Sequence, residues 1–441
     1  MNTPRDDRRE QLEALLREPA PTLAPRDGMW EAISRRARRR RIAKAALSVA
    51  AGVIVVAGAV PAVIAVRHSA DSDARLTFGG GRHDPTRPPT AATSSIPTPL
   101  PTAGTLNGFY PESVSFVSQQ QGFLYGSIGS SSDAVIAETV DGGLHWIRRP
   151  APPVEDAFVG SNGRGIGQIR FSTDGTGFLF GSSYWISRDH GSTWTKQPFH
   201  GYIDALETRD HEVWALARPG LNSTKVSLYT ATTSDPTLRR VRGVPTMTAL
   251  PGIPSEAGEA SLAVSGEPNG VARVVVIVGE RDFWISPNGT KWVRGHNPCP
   301  VTGLRSTLVA ISGERDVIAA CGYTARQSGQ SKRIFTSVNS GHKWKATKAD
   351  PARAGFLETL TAGTATSAML GTSRGGAQLT ADGGKSWSTV TNADGFKLSF
   401  VGYIDTAHIV AAANRDSSKG AAFATSTDGG DTWTVTRFPA E

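Results

Sequence analysis

The sequence predicts an all-β protein whose main domain is a seven-bladed β-propeller. Three observations predict it: a short turn motif that recurs with a nearly constant period, apolar runs of strand length between its copies, and no helical periodicity after residue 105. A repeated unit of roughly 40–50 residues is typical of one four-stranded propeller blade. We therefore assign residues 106–441 of the 441-residue chain to the propeller.

The turn motif consists of a Ser or Thr, an Asp or Asn, a Gly and a Trp. Hydroxyl, carboxylate and amide oxygens accept hydrogen bonds from nearby backbone N–H groups, Gly permits a positive φ, and Trp offers a large apolar surface. We predict that the motif closes the turn between the last two strands of each blade. Its six legible copies are Thr139, Asp141, Gly143 and Trp146; Ser187, Asp189, Gly191 and Trp194; Ser286, Asn288, Gly289 and Trp292; Ser337, Asn339, Gly341 and Trp344; Thr380, Asp382, Gly384 and Trp387; and Ser426, Asp428, Gly430 and Trp433.

The spacing of the copies gives the number of blades. Successive Trp residues are 48, 98, 52, 43 and 46 positions apart, so the gap of 98 spans two periods. The stretch 232–241 lies in the middle of that gap and keeps Asp235, but it has lost both the Gly and the Trp. Counting it as an eroded copy gives seven units. Apolar runs such as Val274–Val278 and Asp316–Cys321 have the length and composition of buried strands.

The six copies resemble the Asp-box, or BNR, repeat of the sialidase-like propellers. Similar repeats occur in sialidases, xyloglucan-cleaving glycosidases, sortilin-type receptors and photosystem II assembly factors. The resemblance covers about three quarters of the chain. It implies the propeller fold, and it implies that the repeat is a structural turn away from the active face.

A sialidase would require more than the repeat. The resemblance would imply three converging arginines, a Tyr with a neighbouring Glu as nucleophile, and an Asp as acid/base, with an early Arg-Ile-Pro segment. The chain contains no Arg-Ile-Pro, and residues 104–139 contain no Arg. Xyloglucan-type enzymes use two propellers and paired carboxylates across a cleft. We therefore predict no catalytic residues and no cofactor, and a glycosidase with a divergent active site stays as an alternative.

One acidic stretch is a candidate for acid/base chemistry. The favoured interpretation is a short solvated acidic loop. The nine His residues show no HxxxH or HExxH spacing, so we predict no metal site. The residues of the stretch are Asp204, Glu207, Asp210, His211, Glu212 and Trp214.

The two cysteines are candidates for a disulfide. Cys299 lies in a loop that feeds the fifth predicted blade, and Cys321 lies in an inner strand of that blade. Two thiols in an oxidising compartment most often pair. Two free buried thiols are the alternative, and the spacing excludes a CxxC site.

The amino-terminal part predicts a membrane anchor. The formal charge is +8, but residues 1–67 carry a net +6 and the remainder only +2, so we predict no nucleic-acid partner. Ala45–Val66 holds 22 uncharged residues, which as a helix would span roughly 33 Å of a ~30 Å hydrocarbon core. The basic run Arg35–Arg41 places the amino terminus inside. We predict a cytosolic basic head at 1–41 and a transmembrane helix at 42–66. A cleaved signal peptide is the alternative, although the apolar region of such a peptide has only ~7–15 residues.

Residues 67–105 form a predicted Pro- and Thr-rich disordered linker. The whole layout indicates a membrane-tethered extracytoplasmic binding or scaffold protein with protein or glycan partners. Long inter-blade loops, rich in Pro and Gly, are predicted at 149–166, 217–227, 244–262 and 294–306 and are candidates for recognition. A signalling protein, with an outer sensor and a cytosolic head that binds a regulator, is a further alternative.

Overall fold

The computed structural model describes residues 106–129, 134–152, 166–249, 260–265, 272–300, 302–313, 315–326, 329–373, 376–390, 398–416 and 420–438. All regular elements within these ranges are β-strands. A membrane-crossing helix is not found among the described residues. The predicted head, transmembrane helix and linker lie outside them and stay predictions.

The strands form seven antiparallel sheets, six of four strands and one of five, and each is built on four consecutive strands, so the predicted seven-bladed propeller is confirmed. Blades one to four consist of β1 (Phe109–Phe116), β2 (Gly122–Ile128), β3 (Val135–Thr139) and β4 (Ile147–Arg149); β5 (Ile166–Phe171), β6 (Gly177–Gly181), β7 (Tyr184–Ser187) and β8 (Thr195–Gln197); β9 (Tyr202–Arg209), β10 (Glu212–Arg218), β11 (Lys225–Thr232) and β12 (Arg239–Arg240), with β13 (Met247–Thr248) also paired to β11; and β14 (Ala260–Ser265), β15 (Arg273–Val278), β16 (Asp282–Ser286) and β17 (Val293–Arg294).

Blades five to seven continue the same order. They consist of β18 (Leu304–Ser312), β19 (Asp316–Arg326), β20 (Gly329–Ser337) and β21 (Lys345–Ala346); β22 (Leu357–Ala362), β23 (Ala368–Thr372), β24 (Gln378–Thr380) and β25 (Ser388–Thr389); and β26 (Leu398–Tyr403), β27 (Ile409–Asp416), β28 (Gly420–Ser426) and β29 (Thr434–Phe438).

The up-and-down course of the four strands in each blade places the connections on two opposite faces of the propeller. Because neighbouring strands are antiparallel, the turns after the first and third strands of a blade lie on one face, which we call the repeat face. The hairpins after second strands and the linkers to the next blade lie on the other face, the linker face. The six motif copies all lie between third and fourth strands, on the repeat face.

The first strands line the middle of the ring, where each contacts the first strand of a neighbouring blade, as β1 does with β5 and β22 with β26. Such a strand leaves one backbone edge unpaired. Hydroxyl groups from the preceding blade satisfy part of that edge. Ser115 Oγ accepts from the Phe171 N–H at 2.8 Å, and Thr361 Oγ1 accepts from the Tyr403 N–H at 3.1 Å.

The ring closes between blades seven and one without a shared strand. The rings of Phe116 and Phe423 stack with centroids 5.7 Å apart, and Phe109 meets Phe438 edge-on at 5.1 Å. Trp146 packs edge-on against Phe423 at 4.8 Å. Aromatic packing therefore holds the two ends of the propeller together.

One predicted recognition loop has a different place in the fold. The stretch 217–227 connects β10 with β11 inside the third blade, so its assignment as an inter-blade loop was wrong. It is the hairpin after a second strand and therefore still lies on the linker face. Beside this hairpin β13 pairs with the start of β11, Lys225 with Thr248 and Val226 with Met247.

Gly143 is predicted to be the most sensitive glycine of the first motif copy. Its φ is 94°, and an added Cβ would lie 2.2 Å from Phe423 Cε1. We expect Gly143→Ala to lower the free energy of unfolding by about 3 kcal/mol, because left-handed strain and overpacking add. Gly429→Ala is the matched control, since φ is 75° and no atom lies within 4 Å of its added Cβ. It should cost about 1 kcal/mol. Equal losses in denaturant unfolding of the full chain would contradict the packing argument.

Candidate functional site

The repeated turns use their polar groups to close themselves. In the copy at blade six, Thr380 Oγ1 accepts from the Gly384 N–H at 2.9 Å, and Asp382 Oδ1 accepts from the Ser386 N–H at 3.0 Å. The Ser386 hydroxyl donates to Asp382 Oδ2 at 2.6 Å. These bonds, led by the one from the Ser386 hydroxyl, hold the pKa of Asp382 well below its usual range. The carboxylate is committed to the turn and is not a candidate catalytic acid.

The residue immediately before the Trp is part of the motif, and sequence reasoning missed it. Thr193 and Thr432 donate their hydroxyls to the turn Asp as Ser386 does, and His145 places Nδ1 2.6 Å from Asp141 Oδ2. In the two Asn copies this position is a Lys, whose side chain is not among the donors to the amide oxygen. Asn339 Oδ1 accepts from the Lys343 backbone N–H at 2.8 Å and from the Ser337 hydroxyl at 2.9 Å. A comparison of the six copies at this position would have revealed the pattern.

The turn of the eroded third copy is closed by different hydrogen bonds. Asp235 accepts from the Thr237 N–H at 3.2 Å and from Arg239 Nη2 at 2.8 Å. Leu238 directly precedes β12, which is the place that Trp holds in the other six blades, and it packs against the core between blades two and three. The turn is therefore retained in position while its chemistry differs.

The predicted acidic loop is a β-hairpin, so that interpretation was wrong. Asp204 and Glu207 lie on β9, Glu212 and Trp214 on β10, and only residues 210 and 211 form the turn. Alternation along the strands sends neighbouring carboxylates to different partners. The contacts are Asp204 with Arg218 at 2.7 Å, Glu207 with Arg170 at 3.0 Å, Asp210 with Arg209 at 3.6 Å, and Glu212 with the Trp214 indole N–H at 3.2 Å.

The Asp204 and Arg218 pair is structural. Two contacts join the side chains, Nη2 to Oδ1 at 2.7 Å and Nε to Oδ2 at 2.9 Å, and both groups are almost fully buried. Burial raises the pKa of Asp204 to about 6, against the lowering effect of Arg218. Arg218 also donates to the Ser223 carbonyl at 3.0 Å, so the pair braces the hairpin at 217–227 on the linker face.

A second polar network crosses the innermost strands of blades one to three. Arg170 on β5 donates to Glu207 on β9 at 3.0 Å, and its Nη1 lies 3.4 Å from Ser113 Oγ on β1. Arg170 is 17% and Glu207 32% exposed at the side chain, so the pair is within reach of solvent. Glu112, the neighbour of Ser113, is a different case, because burial raises its pKa to about 8. A carboxyl group of this kind is mostly protonated at neutral pH.

A disulfide and a buried lysine fix connections of the linker face at blades five and six. Cys299 and Cys321 form a disulfide with their Cα atoms 5.5 Å apart, and Cys321 lies on β19, the second strand of its blade. Lys332 is buried, and four backbone carbonyl oxygens lie 2.9–3.1 Å from its ammonium and share its three N–H donors, those of Gln330, Ala352, Ala354 and Gly355. Burial lowers the pKa of Lys332 to about 8.

This ammonium fixes an otherwise irregular linker. Because the four carbonyls belong to two segments, Lys332 holds the connection from blade five to blade six against β20. Gln330 adds to this, since its Oε1 accepts from the Leu357 N–H at 3.0 Å. Arg353 and Phe356 on this fixed segment are exposed. The described residues contain no group of three or more His, Cys, Asp or Glu side chains placed to hold a metal ion.

Comparisons with known proteins identify fold neighbours. No family model matches the chain, and no curated protein matches it. Among solved structures it is similar to YCF48 bound to D1 peptide, with a TM-score of 0.48 and 15% identity over 73% of this chain and 95% of that chain. It is also similar to the GH74 enzyme of Niastella koreensis, with a TM-score of 0.28 and 12% identity over 76% of this chain and 72% of that chain.

A third neighbour is the β-propeller domain of the Trilobed protease from Pyrococcus furiosus. The TM-score is 0.48 and the identity 8%, over 76% of this chain and all (100%) of that chain. At such identities the comparisons concern the fold alone and assign no activity. The seven sheets of the chain itself define it as a seven-bladed β-propeller.

Glu112 predicts an unusual pH dependence of stability. Its pKa in the folded protein, about 8, lies above the ordinary value of 4.5. This group therefore leaves stability unchanged below pH 4.5, and it makes folding progressively less favourable between pH 4.5 and about 8. We expect Glu112→Gln to leave the unfolding midpoint unchanged at pH 4 and to raise it at pH 9, measured by thermal unfolding of the full chain. A variant that gains nothing at pH 9 would contradict the raised pKa of the half-buried Glu112 carboxyl.

Proposed function

We propose that the chain is a membrane-tethered, extracytoplasmic binding or scaffold protein. In this proposal residues 42–66 are the anchor, residues 67–105 are the spacer, and the propeller presents its linker face to a protein or glycan partner. Recognition resides in the four stretches 149–166, 217–227, 244–262 and 294–306, all of which connect strands on that face.

The proposal rests on the observation that the candidate acidic residues already have structural partners. Each carboxylate of the acidic hairpin has its own partner, and Asp141, Asp189, Asp382 and Asp428 are held by turn hydrogen bonds. General acid/base chemistry needs a carboxyl group that can exchange a proton with a substrate. Carboxylates that are held in ion pairs and turns are poorly suited to this exchange, and this favours a binding role over catalysis.

Two further features support a rigid surface outside the cytosol. The disulfide between Cys299 and Cys321 is a kind of bond that persists in oxidising compartments. The Lys332 ammonium and the Arg218 guanidinium fix two connections of the linker face against the strands below. Binding to a preorganised surface avoids the entropic cost of ordering loops.

A glycoside hydrolase is the second candidate, and Glu112 favours it. A carboxyl group kept protonated near neutral pH suits a general acid, and Glu112 lies on the innermost strand of the first blade. The assay is direct: the purified full chain is incubated with a fluorogenic sialoside and with xyloglucan. Turnover that is lost in Glu112→Gln would replace the binding proposal with the enzymatic one.

The face used for binding can be tested inside one blade. A photo-crosslinking residue is placed at His200 or at Ser192 of the full chain in intact cells; both positions are exposed, His200 on the linker face and Ser192 on the repeat face. We expect a discrete crosslinked product from His200 and none from Ser192. A product from Ser192 alone would contradict the linker-face proposal.

The disulfide gives a prediction about compartment and stability. In the full chain from intact cells, Cys299 and Cys321 should resist a thiol-reactive reagent until a reductant is added. We expect the double variant Cys299→Ser, Cys321→Ser to lose about 3 kcal/mol of unfolding free energy, because the bond closes a loop of 22 residues. Reaction of both thiols without reductant would contradict an extracytoplasmic propeller.

A further inference from the structure

The motif turns form a ring of equivalent projections on the repeat face. In blades one, five and seven the first hydroxyl accepts from the backbone N–H four residues further on at the same distance, 2.8 Å. In the same three blades the Asp or Asn accepts from the backbone N–H of the residue before the Trp, at 2.8–2.9 Å. Turns that are closed in the same way present corresponding residues at corresponding places, so the copies differ chiefly in what they expose.

The formal charge of the six motif copies changes in order around this ring. It is −2 in blade seven, with Asp428 and Asp431, and −1 in blade one, with Asp141. It is +1 in blades four and five, where Asn replaces the Asp and Lys291 and Lys343 precede the Trp. In blades two and six one basic and one acidic residue cancel. The ring of motif turns is therefore acidic on one side and basic on the other.

The charges at both ends of this gradient are accessible. Asp428 and Asp431 are exposed, and so are Lys291 and Lys343. The hydrogen bond from the Thr432 hydroxyl leads those that hold the pKa of Asp428 well below its usual range, so this carboxylate stays ionised although it closes the turn. Neither lysine ammonium forms an ion pair within the part of the chain that the structure describes. Both are therefore available to an anionic group from outside.

Exposed apolar side chains lie on the same turns. Val338 of blade five is 72% exposed, and Val140 and Leu144 of blade one are 53% and 55% exposed. The turn does not require them, since the position of Val140 and Val338 holds Arg188 in blade two and Thr427 in blade seven. Apolar residues exposed beside charged ones are typical of protein contact surfaces.

A second copy of the chain offers the complementary surface. When two repeat faces meet about a twofold axis that runs through blade six, one copy is turned over and its blade order is reversed. Blade five then lies opposite blade seven of the other copy, blade four lies opposite blade one, and blade six lies opposite itself. Among the arrangements that set whole blades against each other, only this one brings both basic turns against both acidic turns. Each of these contacts occurs twice.

We propose that the chain forms a twofold-symmetric dimer through its repeat face, with the axis at blade six. The Lys343 ammonium of one copy meets the Asp428 and Asp431 carboxylates of the other. Lys291 meets Asp141 in the same way. Blades two and three lie farthest from the axis and stay outside the contact.

Charge and apolar contact act differently in this dimer. Single exposed ion pairs contribute little to affinity, but opposite charges select the register and speed association. Burial of apolar surface supplies most of the free energy. Val140 and Leu144 of blade one face the exposed Pro287 of blade four, and Val338 of blade five faces the turn of blade seven.

The dimer leaves both linker faces free. They point away from each other because the repeat faces are in contact, so one dimer presents two copies of the recognition surface proposed above. Ser192 of blade two lies outside the contact and keeps its exposure. The dimer involves the repeat face alone, so its failure and the failure of the proposed function are separate results.

An introduced thiol tests the position of the axis. Cys299 and Cys321 are the only cysteines and form a disulfide, so one added cysteine is the only free thiol of each copy. Ala381 is exposed on the turn of blade six. We expect Ala381→Cys in the full chain in intact cells to give, with a short bismaleimide crosslinker, a product that mass spectrometry identifies as two joined copies. Ser192→Cys is the matched control and should give none.

Charge reversal tests the contact between blades five and seven. Purified full chains labelled with a donor or an acceptor dye at Ser192→Cys are mixed, and energy transfer is measured against concentration. We expect Lys343→Glu to weaken association about tenfold for each symmetric contact and about a hundredfold in all, and added salt to weaken the wild-type dimer. Adding Asp431→Lys to Lys343→Glu restores opposite charges and should recover most of the loss. Lys196→Glu, on the outer strand of blade two, should change nothing.

Several results would overturn the proposal. They are no energy transfer between wild-type chains at any concentration, association that Lys343→Glu leaves unchanged, and no recovery on adding Asp431→Lys. A joined product from Ser192→Cys and none from Ala381→Cys would place the contact elsewhere and overturn it as well. If Lys343→Glu fails to fold, the salt dependence and the Ala381→Cys product decide the question, because both keep the native charges.

Discussion

The contact on which the ring depends is the one between a turn glycine and a large side chain of the preceding blade. No strand within the described residues is shared between blades, so side-chain packing across the seams holds them in a circle. At the closing seam, Gly143 lies over Phe423, and the Thr436 hydroxyl of the last blade donates to the Gly143 carbonyl at 2.7 Å. A glycine is required there because any Cβ would occupy the volume of the ring. The repeated turn therefore serves two purposes, since it closes its own blade and receives the neighbouring one.

This constraint separates the two faces of the propeller. The repeat face carries the turns, and its carboxylates are held by hydrogen bonds with fixed geometry, so changes there act first on the fold. The linker face carries connections of different lengths, which the seams do not specify, and local devices such as the Lys332 ammonium fix them individually. A surface that can vary in sequence without loss of the ring is the natural place for recognition.

The blade count and the position of each turn could be predicted because both are periodic and local. The pairing of Cys299 with Cys321 follows from the presence of only two cysteines. The acidic stretch was misinterpreted because its residues are close in sequence but have different partners in the fold. Alternation along β9 and β10 places Asp204 against Arg218 and Glu207 against Arg170, and neither contact can be read from the local sequence. The contact of Phe423 with Gly143 was also hidden, since it arises only where residues of different blades meet at a seam.

The positions of the charged residues add to what the net charge of the propeller indicates. The net charge after residue 67 is only +2, which argues against nucleic acid, yet the outer strands hold basic residues and no acidic ones. Every fourth strand except β25 contains Lys or Arg, which is how edge strands are protected against pairing with other chains. Lys345 belongs to this edge protection.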